Sequence, residues 1–399
     1  MRVLTFSGLY PNSVRPQHGV FVEHRMRQLL ANASVDLRVV APVPWFPSSS
    51  ERFGEYGAHA RVPRRERRFD IDTLHPRWLA VPKVGMKFAP SALARAGLRA
   101  YRKLQSEGFE PDVIDAHYLY PYGVAATRLG SRVHKPVVLT ARGSDVNLIP
   151  KVSPFARQRV LEATRSAACV ISVSDALRRA LIELGAPAER LAVIRNGVDR
   201  ELFNIPDPIP PRGKQTHVLS VGNLVPLKGH DIAIDALREL PDAKLTIAGR
   251  GALRDSLEQR AKDAEVHDRV HFAGSVGQDE LRNLYAEADV LVLASKMEGL
   301  PNVLLESLSC GTPVVATTVG GIPEVVPSEQ SGELIEERTG PVLARAIRAV
   351  CDRKLPREVV RATVEHFDWS VCATELAKVL EAAAMRGKTT GRWSESSPR

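Results

Sequence analysis

The chain has 399 residues, of which 44% are hydrophobic and 25% are charged, the proportions of an ordinary folded protein. One hydrophobic core seldom organises more than about 250–300 residues, so two domains are expected. No run of about 20 apolar residues occurs, which excludes a membrane-spanning helix and leaves peripheral contact as the form of any membrane association. The four cysteines lack the spacing of a metal or redox site and predict free thiols in a cytoplasmic protein.

The net charge of +9 is concentrated in the first half of the chain. Residues 1–200 contain 31 Lys and Arg against 17 Asp and Glu, whereas the remainder contains 24 against 29. A positive field attracts nucleic acid, an anionic membrane surface and a phosphorylated acceptor alike. Charge alone therefore leaves these three kinds of partner open.

Short β-branched runs alternate with amphipathic helical stretches along the first half, which is typical of a parallel sheet covered by helices. One helix has clear end signals, with Ser174 as its N-cap and Gly185 as its C-terminal stop. We predict strands at 3–7, 35–40, 112–117, 137–140, 169–173 and 191–194.

A proline-rich stretch separates the two halves. Residues 204–213 contain four prolines, which fix φ and remove backbone donors. The alternation then restarts, and we predict strands at 218–221, 244–248, 270–272, 290–294 and 314–317. The predicted organisation is an N-terminal acceptor-side Rossmann-like domain (1–203), a linker (204–216), a C-terminal nucleotide-sugar domain (217–385) and a disordered tail (386–399). The last helix of the predicted C-terminal domain is free to pack back on the N-terminal domain.

This α/β pattern predicts two doubly wound domains that face each other across a cleft. Ligands of such sheets bind beyond the carboxyl ends of the strands, so functional residues are expected directly after strands.

Residues 288–306 combine a strand, a loop and the start of a helix. The apolar run ends at Ser295, Glu298 lies in the loop, and Pro301 occupies the first helical turn, where its missing N–H costs nothing. Glu306 lies on the same helix, about one turn further along. A helix start offers free N–H groups and a positive dipole end to a diphosphate. We expect these groups to come from Gly299, Leu300, Asn302 and Val303.

The segment EGLPNVLLE, followed by CGTPVVA at 310–316 and GGIPE at 320–324, resembles the signature of family-4 glycosyltransferases, which are retaining enzymes of the GT-B fold. The resemblance implies that Glu298 lies beside the transferred sugar and that Glu306 binds the donor ribose. The alternative for an isolated pair is two solvated carboxylates.

A second motif, VGNLVPLKG at 221–229, follows the first strand of the second half. The resemblance makes Lys228 a diphosphate-binding cation. Asn223 departs from the family, which commonly has arginine there. Arg250 follows the strand at 244–248 where relatives commonly have an acidic residue, so it is a candidate replacement cation for the donor. The alternative is an exposed arginine in a glycine turn.

Candidate residues also follow strands in the first half. Gly19 permits a close approach of backbone N–H groups to the donor. His117 ends a strand, and family enzymes often place a histidine there against the donor sugar; the alternative is a structural histidine. The loop containing Arg142 and Asp145 resembles an acceptor-side family loop in which histidine more commonly precedes the glycine. The run at 195–199 also matches the family and is interpreted as a turn or a hinge-side segment.

No metal and no bound cofactor are expected. The triplet at Asp70-Ile71-Asp72 imitates a metal-binding D-x-D, but it follows a run of arginines and is interpreted as solvated charge. The co-substrate is a nucleotide diphosphate sugar. The family resemblance implies that Lys228 and a helix start stabilise the leaving diphosphate without a divalent ion.

The resemblance covers nearly the whole chain, and the first half looks similar to bacterial transferases of teichuronic acid or exopolysaccharide assembly. It implies a retaining transferase that moves a sugar to a glycan, lipid-linked or small-molecule acceptor. One alternative is a nucleotide-sugar epimerase of the same fold. Another is a basic nucleic-acid-binding protein, although no recognised nucleic-acid motif accompanies the charge.

Residues 86–104 mix apolar and basic side chains. Two interpretations remain open, an interfacial helix on the inner face of an anionic membrane and a core helix with a wet basic face.

Overall fold

The computed structural model describes residues 1–80, 85–209 and 213–389. The chain forms two compact units, one of Met1–Arg195 with Ser370–Arg399 and one of Asn196–Trp369. The boundary lies before the predicted 203 because residues 196–203 bind segments of the second unit. Val198 forms a bridge to Asp368, and the Phe203 carbonyl accepts from Ser309 Oγ at 2.6 Å.

The first unit contains an eight-stranded sheet covered by helices and a separate sheet of two strands, the third and the sixth. Its strands are β1 (Arg2–Phe6), β2 (Asp36–Val40), β3 (Val43–Pro44), β4 (Arg65–Arg68), β5 (Ile71–Leu74), β6 (Arg77–Trp78), β7 (Val113–His117), β8 (Val137–Ala141), β9 (Cys169–Ser172) and β10 (Leu191–Val193). Its helices are α1 (Val20–Asn32), α2 (Gly54–Arg61), α3 (Ala89–Ser106), α4 (Val124–Val133), α5 (Ser144–Asn147), α6 (Ile149–Val152), α7 (Pro154–Ser166) and α8 (Asp175–Leu184).

The strand order in this sheet is β10-β9-β8-β7-β1-β2-β5-β4, and every pairing is parallel except β4–β5. The six predicted strands of the first half are confirmed, with shifts of a residue or so at their ends. Helix α8 begins and ends as predicted, because Ser174 Oγ accepts from Leu177 N and Gly185 adopts the left-handed conformation.

The antiparallel pair β4–β5 was not predicted, because all four residues of β4 are charged and give no apolar alternation. The Asp70-Ile71-Asp72 triplet spans its turn and the start of β5. Arg67 pairs with Asp70 at 3.1 Å, and Arg65 pairs with Asp72 at 2.5 Å. No group of His, Cys, Asp or Glu among the described residues is arranged to hold a metal ion.

The second unit is a six-stranded parallel sheet in the order β13-β12-β11-β14-β15-β16. Its strands are β11 (Thr216–Val221), β12 (Ala243–Ala248), β13 (Val270–Gly274), β14 (Val290–Leu293), β15 (Val314–Thr317) and β16 (Gly332–Ile335). Its helices are α9 (His230–Ala236), α10 (Arg254–Asp263), α11 (Gln278–Glu287), α12 (Asn302–Ser309), α13 (Ile322–Val325), α14 (Gly340–Asp352) and α15 (Arg357–Ala362). All five predicted strands are present; β16 was missed.

The core of the second unit lies between the sheet and helices such as α9 and α14. Full burial of one such aliphatic side chain contributes about 1.5–3 kcal/mol, so this layer holds the strand ends in place. Its members include Ile232, Ile234, Leu245, Ile247, Val290, Val292, Leu343 and Ile347.

A last helix, α16 (Trp369–Thr389), begins at the end of the second unit, and from Ser370 onwards it belongs to the first. Residues 386–389 are therefore helical, which corrects the predicted start of the disordered tail; the run of alanines before them favours continuation of the helix. Residues 390–399 of that tail and residues 210–212 of the predicted linker lie outside the described residues.

Helix α3 packs its apolar side into the first unit. Leu93, Tyr101 and Leu104 are buried, so the apolar side of this helix packs in the core and its basic side chains lie on the outer face; contact of this region with a membrane stays a prediction. Met86 and Phe88, just before it, remain 55% and 66% exposed. In the described part of the chain, no helix has both the length and the apolar character to span a membrane.

Each sheet has a point where the strand order reverses, between β1 and β7 in the first unit and between β11 and β14 in the second. In doubly wound sheets, ligands bind beyond the carboxyl ends of the strands at such points.

Candidate active site

The loops that follow β11 and β14 meet at the reversal point of the second sheet. Lys228 Nζ donates to Glu298 Oε1 at 2.6 Å, and Ser295 Oγ donates to the same oxygen at 2.7 Å. The structure therefore brings together two residues predicted from separate motifs, a cation and a carboxylate, where the fold binds its ligands.

Two glycines allow the loops around Lys228 and Glu298 to pack closely against neighbouring backbone. Gly229 has φ +73°, in the left-handed region, and a Cβ there would lie 2.1 Å from the Ala294 carbonyl oxygen. Gly320 has φ +56°, and a Cβ there would lie 2.1 Å from the Glu298 carbonyl oxygen. Any side chain at either position would push the loops apart, since real Cβ atoms do not approach backbone so closely. The glycines thus set the positions of Lys228 and Glu298.

Helix α12 starts beside this pair. Pro301 is its N-cap, with φ −78° and ψ 110°, so it precedes the first turn rather than occupying it as predicted. The N–H groups of Asn302 and Val303 have no acceptor within the helix, as in any first turn. Leu300 is buried, and the Gly299 carbonyl accepts from Gly321 N at 3.0 Å.

Asn196 steadies the start of α12, although the sequence around it was interpreted only as a turn. Its Nδ2 donates to Asn302 Oδ1 at 3.0 Å, and its side chain is buried. The signal in the sequence was the match of residues 195–199 to the family, which gives no indication of the partner.

Glu306 lies on α12 and accepts from Tyr285 Oη at 2.8 Å. Burial raises the pKa of the Glu306 carboxyl to about 7, and the hydrogen bond from Tyr285 acts in the opposite direction. Tyr285 is itself fully buried and meets the Phe203 ring edge-on. Glu306 is therefore fixed in orientation by Tyr285, and in its ionised form it can accept from hydroxyl groups.

Asn223 and Arg250 lie on adjoining loops. The Arg250 carbonyl accepts from Leu224 N at 3.0 Å, and both the Asn223 and the Arg250 side chains are exposed.

A buried histidine that the sequence reasoning missed supports the loop that contains Asn223. His230 hydrogen-bonds Ser220 Oγ through Nδ1 at 2.9 Å and donates from Nε2 to the Asn223 carbonyl at 3.3 Å. Burial lowers the pKa of the His230 ring, which favours its neutral form.

Arg250→Ala is expected to weaken nucleoside diphosphate binding by about ten- to a hundredfold if the exposed guanidinium replaces the cation missing at Asn223. Lys228→Ala is the matched variant and should lose affinity in either case. Calorimetry with the two variants measures this. An unchanged affinity in Arg250→Ala alone would leave Lys228 and the start of α12 as the phosphate site.

In the first unit, Gly19 is the left-handed N-cap of α1, with φ 74°. A Cβ there would lie 2.4 Å from the Leu9 carbonyl carbon, so glycine is required for the loop to pack on itself. Contact between this loop and a donor stays a prediction.

His117 is fully buried, and both of its ring nitrogens are engaged. Nε2 donates to Asp115 Oδ2 at 3.0 Å, and Nδ1 accepts from Arg142 Nη2 at 2.7 Å. Burial lowers the His117 pKa to about 4, so the ring is neutral. The geometry makes His117 a support for Arg142, and a contact between its ring nitrogens and a sugar would require one of these bonds to be replaced.

Asp145 organises the loop after β8. Its carboxylate accepts from three backbone N–H groups, those of Leu119 at 2.7 Å, Arg142 at 3.0 Å and Gly143 at 2.8 Å. It is fully buried, so it positions the loop rather than reaching an acceptor. Arg142 is the partly exposed member of this predicted acceptor-side pair.

Comparison with solved structures defines the class of the fold. HepE of Anabaena, solved with UDP and glucose, matches with a TM-score of 0.72 and 21% identity, covering 96% of this chain and 100% of that one. With its two doubly wound units, the chain is a GT-B protein.

Comparison with known sequences defines the family. The family model "Glycosyltransferase Family 4" matches residues 24–202, and "Glycosyl transferases group 1" matches residues 203–365. TuaC of Bacillus subtilis, a glycosyltransferase named for teichuronic acid biosynthesis, is 29% identical over 87% of this chain and 88% of its own. WcaL of Escherichia coli, named for colanic acid biosynthesis, is 30% identical over 69% and 71%. The chain belongs to the family-4 glycosyltransferases.

Proposed function

We propose that this enzyme transfers a sugar, with retention of configuration, from a nucleoside diphosphate sugar to a glycan or lipid-linked acceptor in the assembly of a cell-surface polysaccharide. The observation that carries the proposal is the pairing of Lys228 with Glu298 beside the start of α12, with Glu306 on the same helix. TuaC and WcaL, both named for polysaccharide biosynthesis, and HepE, solved with UDP, support it.

The chemical difficulty is the negative charge that develops on the leaving diphosphate as the glycosidic bond breaks. Lys228 and the N–H groups at the start of α12 offer positive charge already in place, so no reorganisation is needed during the reaction. Glu298 is held by two donors beside that cation. Its carboxylate is then positioned to orient the transferred sugar.

Retention follows from attack on the same face as the leaving group. The acceptor oxygen forms a bond to the anomeric carbon while the bond from that carbon to the phosphate oxygen breaks. The proton of the acceptor hydroxyl passes to the leaving phosphate. No side chain has to act as a nucleophile.

The test is a transfer assay with labelled UDP-, GDP- and ADP-sugars and the lipid-linked glycans of the producing cell, run with and without EDTA. We expect labelled glycan and free nucleoside diphosphate, with activity retained in EDTA because Lys228 and α12 take the place of a metal ion. Isomerised sugar nucleotide without transfer would instead identify an epimerase. Loss of activity in EDTA, restored by Mg²⁺ or Mn²⁺, would contradict the metal-free mechanism.

We also propose peripheral contact with an anionic membrane, through the exposed Met86 and Phe88 beside the basic outer face of α3. Apolar tips flanked by cations bind the headgroup region. The wild type should co-sediment with vesicles containing phosphatidylglycerol at low salt, and the double variant Met86→Ser, Phe88→Ser should lose most of this binding. Val371→Ser, at another exposed apolar site in the first unit, is the control. Equal sedimentation of all three proteins would contradict the proposal.

A further inference from the structure

A cavity of about 250 Å³ opens between α3 and α4 of the first unit. Pockets for drug-sized ligands occupy roughly 300–1,000 Å³, so this cavity suits a smaller chemical group. Three arginines line it, Arg95 on α3 with Arg128 and Arg132 on α4. The apolar side chains of Leu98 and Leu129 form part of its wall, and no Asp or Glu is among the described residues that line it.

The positive charge of this cavity is not neutralised by carboxylates. Arg128 Nη1 donates to Ser91 Oγ at 2.6 Å, which holds its guanidinium at the cavity wall. Within the described part of the chain, none of the three arginines forms an ion pair. Helix α3 carries four basic residues and α4 carries two, and neither helix contains Asp or Glu. Arg128 and Arg132 lie four residues apart on one helix, where like charges repel each other, so a bound anion offsets that repulsion.

Exposed apolar side chains adjoin the cavity. Ser91 N donates to the Phe88 carbonyl at 3.1 Å, so the first turn of α3 connects the cavity wall to Phe88, which is exposed. Met86, also exposed, is held through its carbonyl, which accepts from Tyr120 Oη at 2.5 Å. A ligand that fills the cavity and also covers this neighbouring surface therefore needs an anionic group and an apolar part.

We propose that the cavity between α3 and α4 binds the phosphate of an anionic membrane phospholipid while Met86 and Phe88 enter the headgroup region. The planar guanidinium fork matches the oxygens of a phosphate, and apolar tips beside cations are typical of interfacial binding. The inference rests on the proposed membrane contact, to which it adds the lipid group and the side chains that bind it. It does not depend on the sugar transfer.

The first test is co-sedimentation with phosphatidylcholine vesicles that contain phosphatidylglycerol, at about 0.15 M salt. The Debye length is then about 8 Å, so long-range attraction of exposed charges is largely screened while a direct contact remains. We expect the double variant Arg95→Gln, Arg132→Gln to bind about ten- to a hundredfold more weakly than the double variant Arg102→Gln, Lys103→Gln. This control removes the same charge from α3 outside the cavity.

All four substituted side chains are exposed, so both double variants should melt as wild type does. Equal vesicle binding by the two double variants would overturn the phosphate site and leave a diffuse basic surface as the cause of membrane contact. If wild type binds no vesicles even at low salt, the proposed membrane contact fails and this inference fails with it. Sugar transfer stands or falls separately, by the transfer assay.

The second test uses soluble probes on the full chain at constant ionic strength. NMR titrations compare dihexanoyl phosphatidylglycerol, glycerol 1-phosphate and glycerol. We expect the first two to shift the backbone amide signals of Ser91 and Arg128, the short-chain lipid at the lower concentration, and glycerol to shift neither. Equal affinities for glycerol 1-phosphate and the short-chain lipid would indicate a site for a soluble phosphate ester and overturn the lipid assignment. No shift with either would overturn the site.

Discussion

Replacing Glu298 by Gln is expected to lower kcat by about 10²–10³ and to leave donor affinity unchanged or tighter. The amide keeps the size of the side chain but loses the charge that, in the proposed mechanism, lies beside the transferred sugar. Lys228, released from its 2.6 Å ion pair, stays available to the diphosphate. Steady-state kinetics combined with calorimetry on the donor separates the two effects.

Ser295→Ala is the control for this substitution. It removes one of the two donors to Glu298 Oε1 and leaves the charge, so a smaller loss of turnover is expected. Wild-type kcat in Glu298→Gln would show that the carboxylate plays no part in the reaction, whatever its position.

Glu306→Gln is expected to weaken donor binding by about ten- to a hundredfold at pH 8, because an ionised carboxylate is the stronger acceptor for ribose hydroxyl groups. In wild type the pKa of Glu306 is raised to about 7, so donor affinity should fall as the pH decreases through 7. In Glu306→Gln this dependence should vanish. Tyr285→Phe removes a hydrogen bond that lowers the pKa, so it should move the midpoint above 7. Calorimetry between pH 5.5 and 8.5 measures all three proteins.

The same shift predicts a change in stability with a definite sign. The folded protein holds a proton on Glu306 in a pH range where the unfolded chain has lost it, so the free energy of unfolding decreases as the pH rises towards 7. Glu306→Gln should therefore melt at a higher temperature than wild type above pH 7. A lower melting temperature there, together with pH-independent donor binding in wild type, would contradict the raised pKa.

The strand positions could be predicted because the buried strands of both units are short β-branched runs, and parallel sheets place the residues that follow them on one edge. This reasoning located Lys228 and Glu298 in their loops. It could not give their contact, which depends on close backbone approach at Gly229 and Gly320. It also missed β4, because a strand made only of charged residues has no apolar period.

Buried polar partners were the second kind of feature that the sequence could not provide. His117 was recognised as a strand-end histidine, but its two partners come from its own strand and from the loop after the next one. The full burial of Arg25, on α1, could not be predicted either, since an arginine on an amphipathic helix is ordinarily exposed. Asp145 was predicted to face an acceptor, whereas its oxygens are taken up by the backbone of its own loop.

We propose that the second unit binds a nucleoside diphosphate through Lys228, the start of α12 and Glu306. The melting temperature of the purified protein, measured with UDP, GDP and ADP in turn, tests it most directly, since a ligand that binds only the folded state stabilises that state. We predict that one of the three raises the melting temperature of wild type and has a much smaller effect on Lys228→Ala and Glu306→Gln. No shift with any of them, or an equal shift in wild type and both variants, would contradict the claim.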